Sequence, residues 1–418
     1  MKWVSAISTS VSLETAVKEV VGEVKDKLDR RIDLALVFVS VAFASEYERL
    51  MPLLQAHLPT AQIVGCSGSG VIGMDESFPA EIEAGPALSL MVAHLPDVSI
   101  NSFYLTAADL PDLDSPPQAW VDLIGVEPAE QPGFVLMADP FSSGTSELLQ
   151  GLDFAYPGAT KVGGLAGIES FSKYSGLFCG QRRYREGIVG VALSGEIVLQ
   201  AIVAQGCRPI GQLYRVSEGD RNIMIKLELD ELADTGRPQT SQTPLEILQT
   251  LFQRMSEEER VMMQNALFIG VAQSGFKSTL TRRDFLIRNL VGVNPNNGAI
   301  AVADKIRPGM RVQFHMRDAQ TSAEDLEEML RRYSVERLEN QLAEAHTGCL
   351  PAGALLFSCT GRGEGLYDEP NFDSDLFEKY LGPLPVGGFF CNGEIGPVGG
   401  STFLHGFTSV FGICCKPA

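Results

Sequence analysis

Apolar positions along this chain gather into short runs separated by segments with helical spacing. Residues 34–40, 134–138 and 354–359 are almost unbroken in Leu, Val, Ala and Phe, the pattern of strands buried on both faces. After the first two runs, leucines recur four apart, Leu50 with Leu54 and Leu148 with Leu152, as on one face of a helix. Pro59 and Pro157 end those helices, and Ile63-Val64 and Lys161-Val162 open second extended stretches that finish in glycine. Each block reads strand, helix, strand.

The two blocks are copies. Residues 34–70 and 132–168 align 98 apart without a gap, so that Val37 falls on Val135, Leu50 on Leu148, Val64 on Val162 and Gly65 on Gly163. A third, looser copy begins at 354–359, passes a helix around 375–380 and arrives at Pro385-Val386-Gly387-Gly388. Between copies, 87–93, 187–193 and 197–204 read as further strands. The short turn Ser194-Gly195-Glu196 predicts that the last two form an antiparallel hairpin, which makes the sheets mixed.

Pro209-Ile210-Gly211 punctuates the end of the first half, and the polar stretch 230–244 reads as a solvated connector. Downstream, 244–255 and 257–264 are predicted helices, and 267–271, 285–291, 299–302 and 310–315 predicted strands. Thr321 or Ser322 offers an N-cap for a long helix reaching about Ala345. The expected fold is therefore mixed α/β (α+β): two associated domains, 1–208 and 209–418, with mixed sheets covered by helices. The expected layering is helix–sheet–sheet–helix, built partly by duplication.

At 418 residues the chain has room for two or three domains, and 45% apolar with 20% charged residues is a soluble, folded composition. The net charge of −19 has the wrong sign for holding a phosphate backbone, so nucleic acid is not an expected partner. The one basic cluster, Arg182, Arg183 and Arg185 beside Glu186, reads as a local ion-pair surface. Eight cysteines without a C-x-x-C pair point to reduced thiols in the cytoplasm rather than to disulfides or a zinc site. The N-terminus lacks a secretory apolar core, and the run 34–44 is too short for a bilayer, so no membrane association is expected.

Two glycine-rich segments could carry chemistry. In Ser358-Cys359-Thr360-Gly361-Arg362-Gly363, directly after an apolar strand, the glycines let a ligand approach the backbone and Arg362 offers a planar donor for a carboxylate or phosphate. In Cys391-Asn392-Gly393-Glu394, Glu394 is a carboxylate in too apolar a setting to be a routine solvated charge, and it needs a partner. Arg362 is one choice. The alternative is that Arg362 and Glu394 divide the two ends of a zwitterion. Cys359 or Cys391 with His405 and Glu394 has the residue types of a nucleophilic set, but no spacing rule joins them. The loop Gly65-Cys66-Ser67-Gly68-Ser69-Gly70 lacks the lysine of a phosphate-binding loop. His315 and His405 have the least surface-like neighbours of the histidines.

The ordered set Gln205-Gly-Cys-Arg-Pro-Ile-Gly211, Asp284-Phe-Leu-Ile-Arg-Asn289, Val312-Gln-Phe-His-Met-Arg-Asp318, Leu355-Leu-Phe-Ser-Cys-Thr-Gly-Arg-Gly363 and Gly388-Phe-Phe-Cys-Asn-Gly-Glu-Ile-Gly-Pro397 resembles the FIST family, named for F-box and intracellular signal-transduction proteins. The resemblance spans nearly the whole chain and implies an N-terminal and a C-terminal FIST domain. It implies a non-enzymatic cytoplasmic sensor for small ligands such as amino acids, with its signalling output in a partner protein. Carried over residue by residue, the motifs put Cys359, Gly361, Arg362 and Gly363 in one pocket turn and Asn392, Gly393 and Glu394 in the facing loop. Relatives that bind haem and sense nitric oxide supply an alternative, although no histidine here matches a haem ligand position. A protein-interaction scaffold without a small ligand is the other alternative. No metal is expected.

Overall fold

The predicted strand, helix, strand blocks are present in the structure, a computed structural model of the chain that describes residues 1–59, 61–168, 175–230, 241–273, 275, 277–342 and 349–417. The first copy runs β1 (Lys2–Ser8), α1 (Leu13–Lys27), β2 (Leu34–Ser40), α2 (Tyr47–His57), β3 (Gln62–Gly68), β4 (Val71–Asp75), β5 (Phe78–Ile82) and β6 (Leu88–His94). The second runs β7 (Val98–Leu105), α3 (Pro117–Ile124), β8 (Gly133–Ala138), α4 (Thr145–Ala155), β9 (Lys161–Leu165), β10 (Leu177–Cys179), β11 (Arg182–Tyr184) and β12 (Ile188–Gly195). The third opens with β13 (Val198–Ala204) and is interrupted by a unit of its own, Gln205–Asp325.

That unit holds β14 (Cys207–Asp220), β15 (Ile223–Leu229), α5 (Pro244–Arg254), α6 (Glu257–Asn265), β16 (Leu267–Ala272), β17 (Phe285–Val293), β18 (Ile300–Val302) and β19 (Arg311–Arg317). Its strands close a barrel in the order β14-β15-β18-β17-β16-β19 around Ile269, Val312, Phe314 and Met316. Both helices start on reciprocal side-chain caps, Thr243 with Glu246 and Ser256 with Glu259. The third copy then resumes with α7 (Ala319–Leu342), β20 (Cys349–Cys359), α8 (Glu364–Tyr367), α9 (Phe372–Leu381), β21 (Val386–Cys391), β22 (Glu394–Val398), β23 (Ser401–His405) and β24 (Ser409–Pro417).

Three six-stranded sheets result: β1-β6-β2-β3-β10-β11, β7-β12-β8-β9-β22-β23 and β13-β24-β20-β21-β4-β5. Strand for strand they are the same sheet. A parallel pair sits in the middle of each, and the hairpin that follows each pair leaves for another copy's sheet. Hairpin β4-β5 adds to β21, β10-β11 adds to β3, and β22-β23 adds to β9. The exchange is cyclic, so no copy completes its sheet alone.

Six backbone hydrogen bonds tie the strand ends where the hairpins cross, in two sets of three equivalents. The N–H groups of Ser67, Leu165 and Phe390 donate to the carbonyls of Gly176, Gly393 and Gly70 at 2.7, 2.7 and 3.0 Å. Two residues on, the N–H groups of Ser69, Gly167 and Asn392 donate to the carbonyls of Phe390, Ser67 and Leu165 at 3.2, 2.7 and 3.2 Å. Within each set a copy donates to one neighbour and accepts from the other, and the two sets run in opposite senses, so each copy is bonded both ways to both neighbours.

The inner faces of all three sheets share one core that includes Leu36, Phe38, Val135, Met137, Leu355, Phe357 and Phe389. Each outer face is covered by its own helices. On α1, Leu13, Ala16, Val17, Val20, Val21 and Val24 form the buried stripe, and Ser12 caps the start by accepting from Thr15 N–H. Each leucine or valine fully buried in this way contributes about 1.5–3 kcal/mol.

Five expectations need correction. The layers are three helix-covered sheets around a shared core, one sheet more than the helix–sheet–sheet–helix reading. Strands β12 and β13 do not form a hairpin: β12 pairs with β7 and β8 while β13 pairs with β24, because the turn at Gly195 carries the chain from one copy's sheet to the next. The 98-residue offset holds for α2 and α4 and for Gly65 and Gly163, but the first strand is shifted by one. Val37 lies opposite Gly65, whereas Leu136, not Val135, lies opposite Gly163. The long helix begins at Ala319, capped by Asp318, whose Oδ1 accepts from Thr321 N–H at 2.7 Å. Its expected end near Ala345 and much of the expected connector lie outside the described residues. The expected half 209–418 is divided between the two units, with 326–418 completing the first.

Gly65, Gly163 and Gly388 occupy equivalent sites opposite Val37, Leu136 and Leu356, and a Cβ at any of them would run into the carbonyl oxygen of that partner. Gly65→Ala is expected to cost more than about 3 kcal/mol in chemical denaturation. Gly22→Ala, in mid-helix with open space around it, is expected to stabilise by about 0.5–1 kcal/mol.

Candidate functional site

In an open α/β sheet a ligand meets the protein outside the carboxyl ends of parallel strands, and here three such ends meet. In the third copy β20 and β21 run parallel with Cys359 opposite Cys391, so the two glycine-rich segments leave the sheet side by side. Thr360 N–H donates to Cys391 O at 3.0 Å, and Thr408 clasps both segments. Its carbonyl accepts from Cys359 N–H at 3.1 Å and its N–H donates to Glu394 Oε2 at 3.0 Å. The seven predicted residues are therefore brought together. Asn392 is exposed and its Nδ2 donates to Ala166 O at 3.4 Å, while Gly361 is half-buried beside the exposed Thr360. Cys359, Arg362, Gly363, Gly393 and Glu394 are buried beneath them.

Arg362 forms its bidentate pair with Asp373. Its Nε and Nη2 reach the two oxygens of Asp373 at 2.9 Å each, with both side chains wholly buried. Ser358 and Ser409 donate to the same Asp373 carboxylate, and Arg362 Nη2 donates to the Tyr367 hydroxyl. Asp373 lies in the first turn of α9, where Glu81 from the first copy's β5 accepts Ser374 N–H at 2.8 Å and Asn371 Oδ1 accepts Glu81 N–H at 2.7 Å. Gly363 (φ 66°) makes room for the Glu83 carboxylate, whose Oε1 accepts Glu364 N–H at 2.7 Å.

The threefold repeat provides an internal control for these residues. Pairing registers make Glu394 equivalent to Val71 and Leu177, through their partners Gly164, Phe389 and Cys66. The pair Ser358–Ser409 is equivalent to Val39–Leu88 and Ala138–Ile188. Where two copies are apolar, the third is polar at each of these sites. Sequence reasoning missed Asp373, Ser358, Ser409 and Glu81. Extending the duplication to the third copy position by position would have exposed the two serines as polar residues at apolar strand positions.

A family model for the FIST N domain matches residues 33–231, and one for the FIST C domain matches residues 244–397. The chain belongs to the FIST family. FIST domains are sensor domains of signal transduction. An uncharacterized protein of Mycobacterium tuberculosis is 30% identical to this FIST protein over 404 residues, 96% of this chain and 97% of that one. An uncharacterized protein of Mycobacterium bovis is 29% identical over 404 residues, 96% of each chain. Among solved structures, two described as cyanuric acid hydrolases, one from A. caulinodans, align over the whole of this chain and at least 99% of theirs. Their identity is 8% and their TM-scores 0.33 and 0.31, too distant to bear on fold or activity.

The electrostatics of the FIST site follow from burial. Burial alone would raise the Asp373 carboxyl, but the Arg362 charge and the bonds from Arg362, Ser409 and Ser358 hold it below its ordinary value. Burial, and then the Asp373 charge, push Glu81 up to about 8, so at neutral pH it is mainly a neutral acid. Burial followed by the Glu394 charge raises the Cys391 thiol, which makes it a poor nucleophile. Haem does not fit the histidines singled out. His405 Nε2 bonds Gly396 O at 3.0 Å, and His315, fully buried, bonds Gln313 O at 3.0 Å and packs on Phe285 and on Gly270, where even a Cβ would strike the ring. Among the described residues no cluster of three His, Cys, Asp or Glu could hold a metal, and no helix is long and apolar enough to cross a membrane. Arg183 and Arg185 pair with Glu48, not with Glu186.

Two outcomes follow for the buried network. Arg362→Ala leaves the Asp373 charge buried and is expected to cost about 3–5 kcal/mol by chemical denaturation, with Arg362→Lys failing to restore the bidentate pair. For Glu81, the folded protein holds a proton that the unfolded chain releases above about pH 4.5, so stability falls as pH rises toward 8. Glu81→Gln is expected to remove this slope, leaving stability near pH 4.5 unchanged and raising it above pH 8 by about 2–4 kcal/mol in melting experiments.

Proposed function

We propose that this FIST protein is a non-enzymatic, cytoplasmic sensory protein that binds a small metabolite, an amino acid or a close relative, and signals through a separate protein partner. The ligand sits at the carboxyl ends of β20 and β21, where the Thr360 hydroxyl and the Asn392 carboxamide present donors and acceptors for its carboxylate and ammonium groups. Arg362 and Glu394 act from below as positioning residues, the first through Asp373 and the second through Thr408. The observation that carries this reading is the polar specialisation of the third copy. Buried Ser358, Ser409 and Glu394 stand where the other copies are apolar, beside a buried ion pair, and such groups are retained at a cost to stability. Signalling requires that the ligand bind one arrangement of these loops more tightly than another.

Calorimetric titration with a panel of the common amino acids tests the proposal. At least one is expected to bind, with Asn392→Ala weakening it about tenfold, roughly one lost hydrogen bond to a charged group. Glu394→Gln, which keeps an acceptor for Thr408 N–H, is expected to weaken binding while circular dichroism stays unchanged. Absence of binding across the panel, or equal affinity in both variants, overturns the reading, and persistent co-purifying proteins would then favour the scaffold.

A further inference from the structure

Away from this site, at the opposite end of the same strand, Cys349 opens β20 and faces Cys415 of β24. The register pairs Cys349 with Pro417 and Pro351 with Cys415, so the two cysteines are diagonal neighbours on one face of an antiparallel pair. They are in hydrogen-bonding contact, and both pack into the cluster beneath α7 and α9. The surroundings are polar for a sheet face. Cys415 Sγ lies 3.8 Å from the Tyr333 hydroxyl and 3.6 Å from Gln200 Oε1, and the Tyr333 hydroxyl also donates to Gln200 Oε1 at 2.5 Å.

From the geometry we infer that Cys349 and Cys415 are a thiol modification site that closes to a disulfide when the protein meets a peroxide. Cys349 is the attacking residue. It is half-buried, whereas Cys415 is fully buried. The bond from Cys415 holds the Cys349 thiol below its ordinary value against the upward pull of burial, with help from the Arg337 charge on α7. Tyr333 faces the pair as well, while Cys414 points to the other face of the sheet, and both Tyr333 and Cys415 are raised. The Cys349 thiolate attacks the peroxide O–O bond, giving a Cys349 sulfenic acid and releasing hydroxide. The Cys415 sulfur then attacks the sulfenic sulfur, the S–OH bond breaks, and the Cys415 proton leaves with the hydroxyl as water. The peroxide is reduced by two electrons and the two thiols are oxidised to one disulfide.

The contrast with four other cysteines singles out Cys349 as the attacking residue. Burial raises the thiols of Cys66, Cys179 and Cys414, and burial with the Glu394 charge raises Cys391. Oxidation of Cys415 would remove its S–H from the Tyr333 and Gln200 cluster, which holds α7 to the sheet.

Full-length protein, treated with a small excess of hydrogen peroxide and alkylated after denaturation without reductant, supplies the test by peptide mass mapping. The expected result is one cross-linked peptide pair carrying Cys349 and Cys415, two hydrogens lighter than the reduced pair and restored by dithiothreitol. Cys415→Ser is expected to stop at a Cys349 sulfenic acid that a dimedone probe traps. Equal alkylation of Cys349 before and after peroxide, or a disulfide joining any other pair, overturns the assignment. The wild-type map decides the matter even if the variant does not fold.

Discussion

The cyclic exchange of hairpins governs everything else in the larger unit. A sheet whose last two strands come from another copy has no stable existence before that copy arrives, because its central parallel pair would be left with an open row of backbone donors and acceptors. The six hydrogen bonds among Ser67, Ser69, Leu165, Gly167, Phe390 and Asn392 and their carbonyl partners close the circuit. The three sheets then bury their inner faces together in one core rather than in three. The close approach at Gly65, Gly163 and Gly388 is the same constraint at the level of single atoms, met three times by the same residue type.

On a frame this symmetric, departures from symmetry are informative. The N–H group that follows each strand-end crossing needs an acceptor. Ser40 supplies it to Ala87 and Ser142 to Gly187, while Glu394 supplies it to Thr408. A hydroxyl meets the need in two copies, so a carboxylate in the third brings a charge that the backbone does not require. The Arg362–Asp373 pair is similar. Its desolvation is offset by bidentate geometry and by Ser358 and Ser409, whose counterparts are plain core residues. Neutral Glu81 spares the first turn of α9 a second buried negative charge beside Asp373. At Ser358, Ser409 and Glu394 the third copy is thus polar where the other two are apolar.

Much of this was legible in the amino-acid order. The strand, helix, strand periodicity, the duplication and the adjacency of the Arg362 and Glu394 segments all follow from patterns that local chemistry enforces. The errors share a cause. An ungapped alignment has no means of detecting a one-residue slip at β8, because continuous apolar runs such as 134–138 look alike on either face. The Gly195 turn between β12 and β13 has hairpin chemistry, yet the strands it joins belong to different sheets, a decision made by tertiary pairing. Asp373 was passed over because an acidic residue at a helix start is ordinarily a solvated cap, and only the fold places Arg362 against it.

Native-state hydrogen exchange measures the central claim most directly, through the amides of Ser67, Ser69, Leu165, Gly167, Phe390 and Asn392. If the three copies are locked by mutual exchange of strands, these protons open in a single cooperative event, with one free energy equal to that of unfolding the unit. Exchange of one copy's amides through a cheaper, separate opening, with the other two copies still protected, would show that the copies stand independently and would contradict the account.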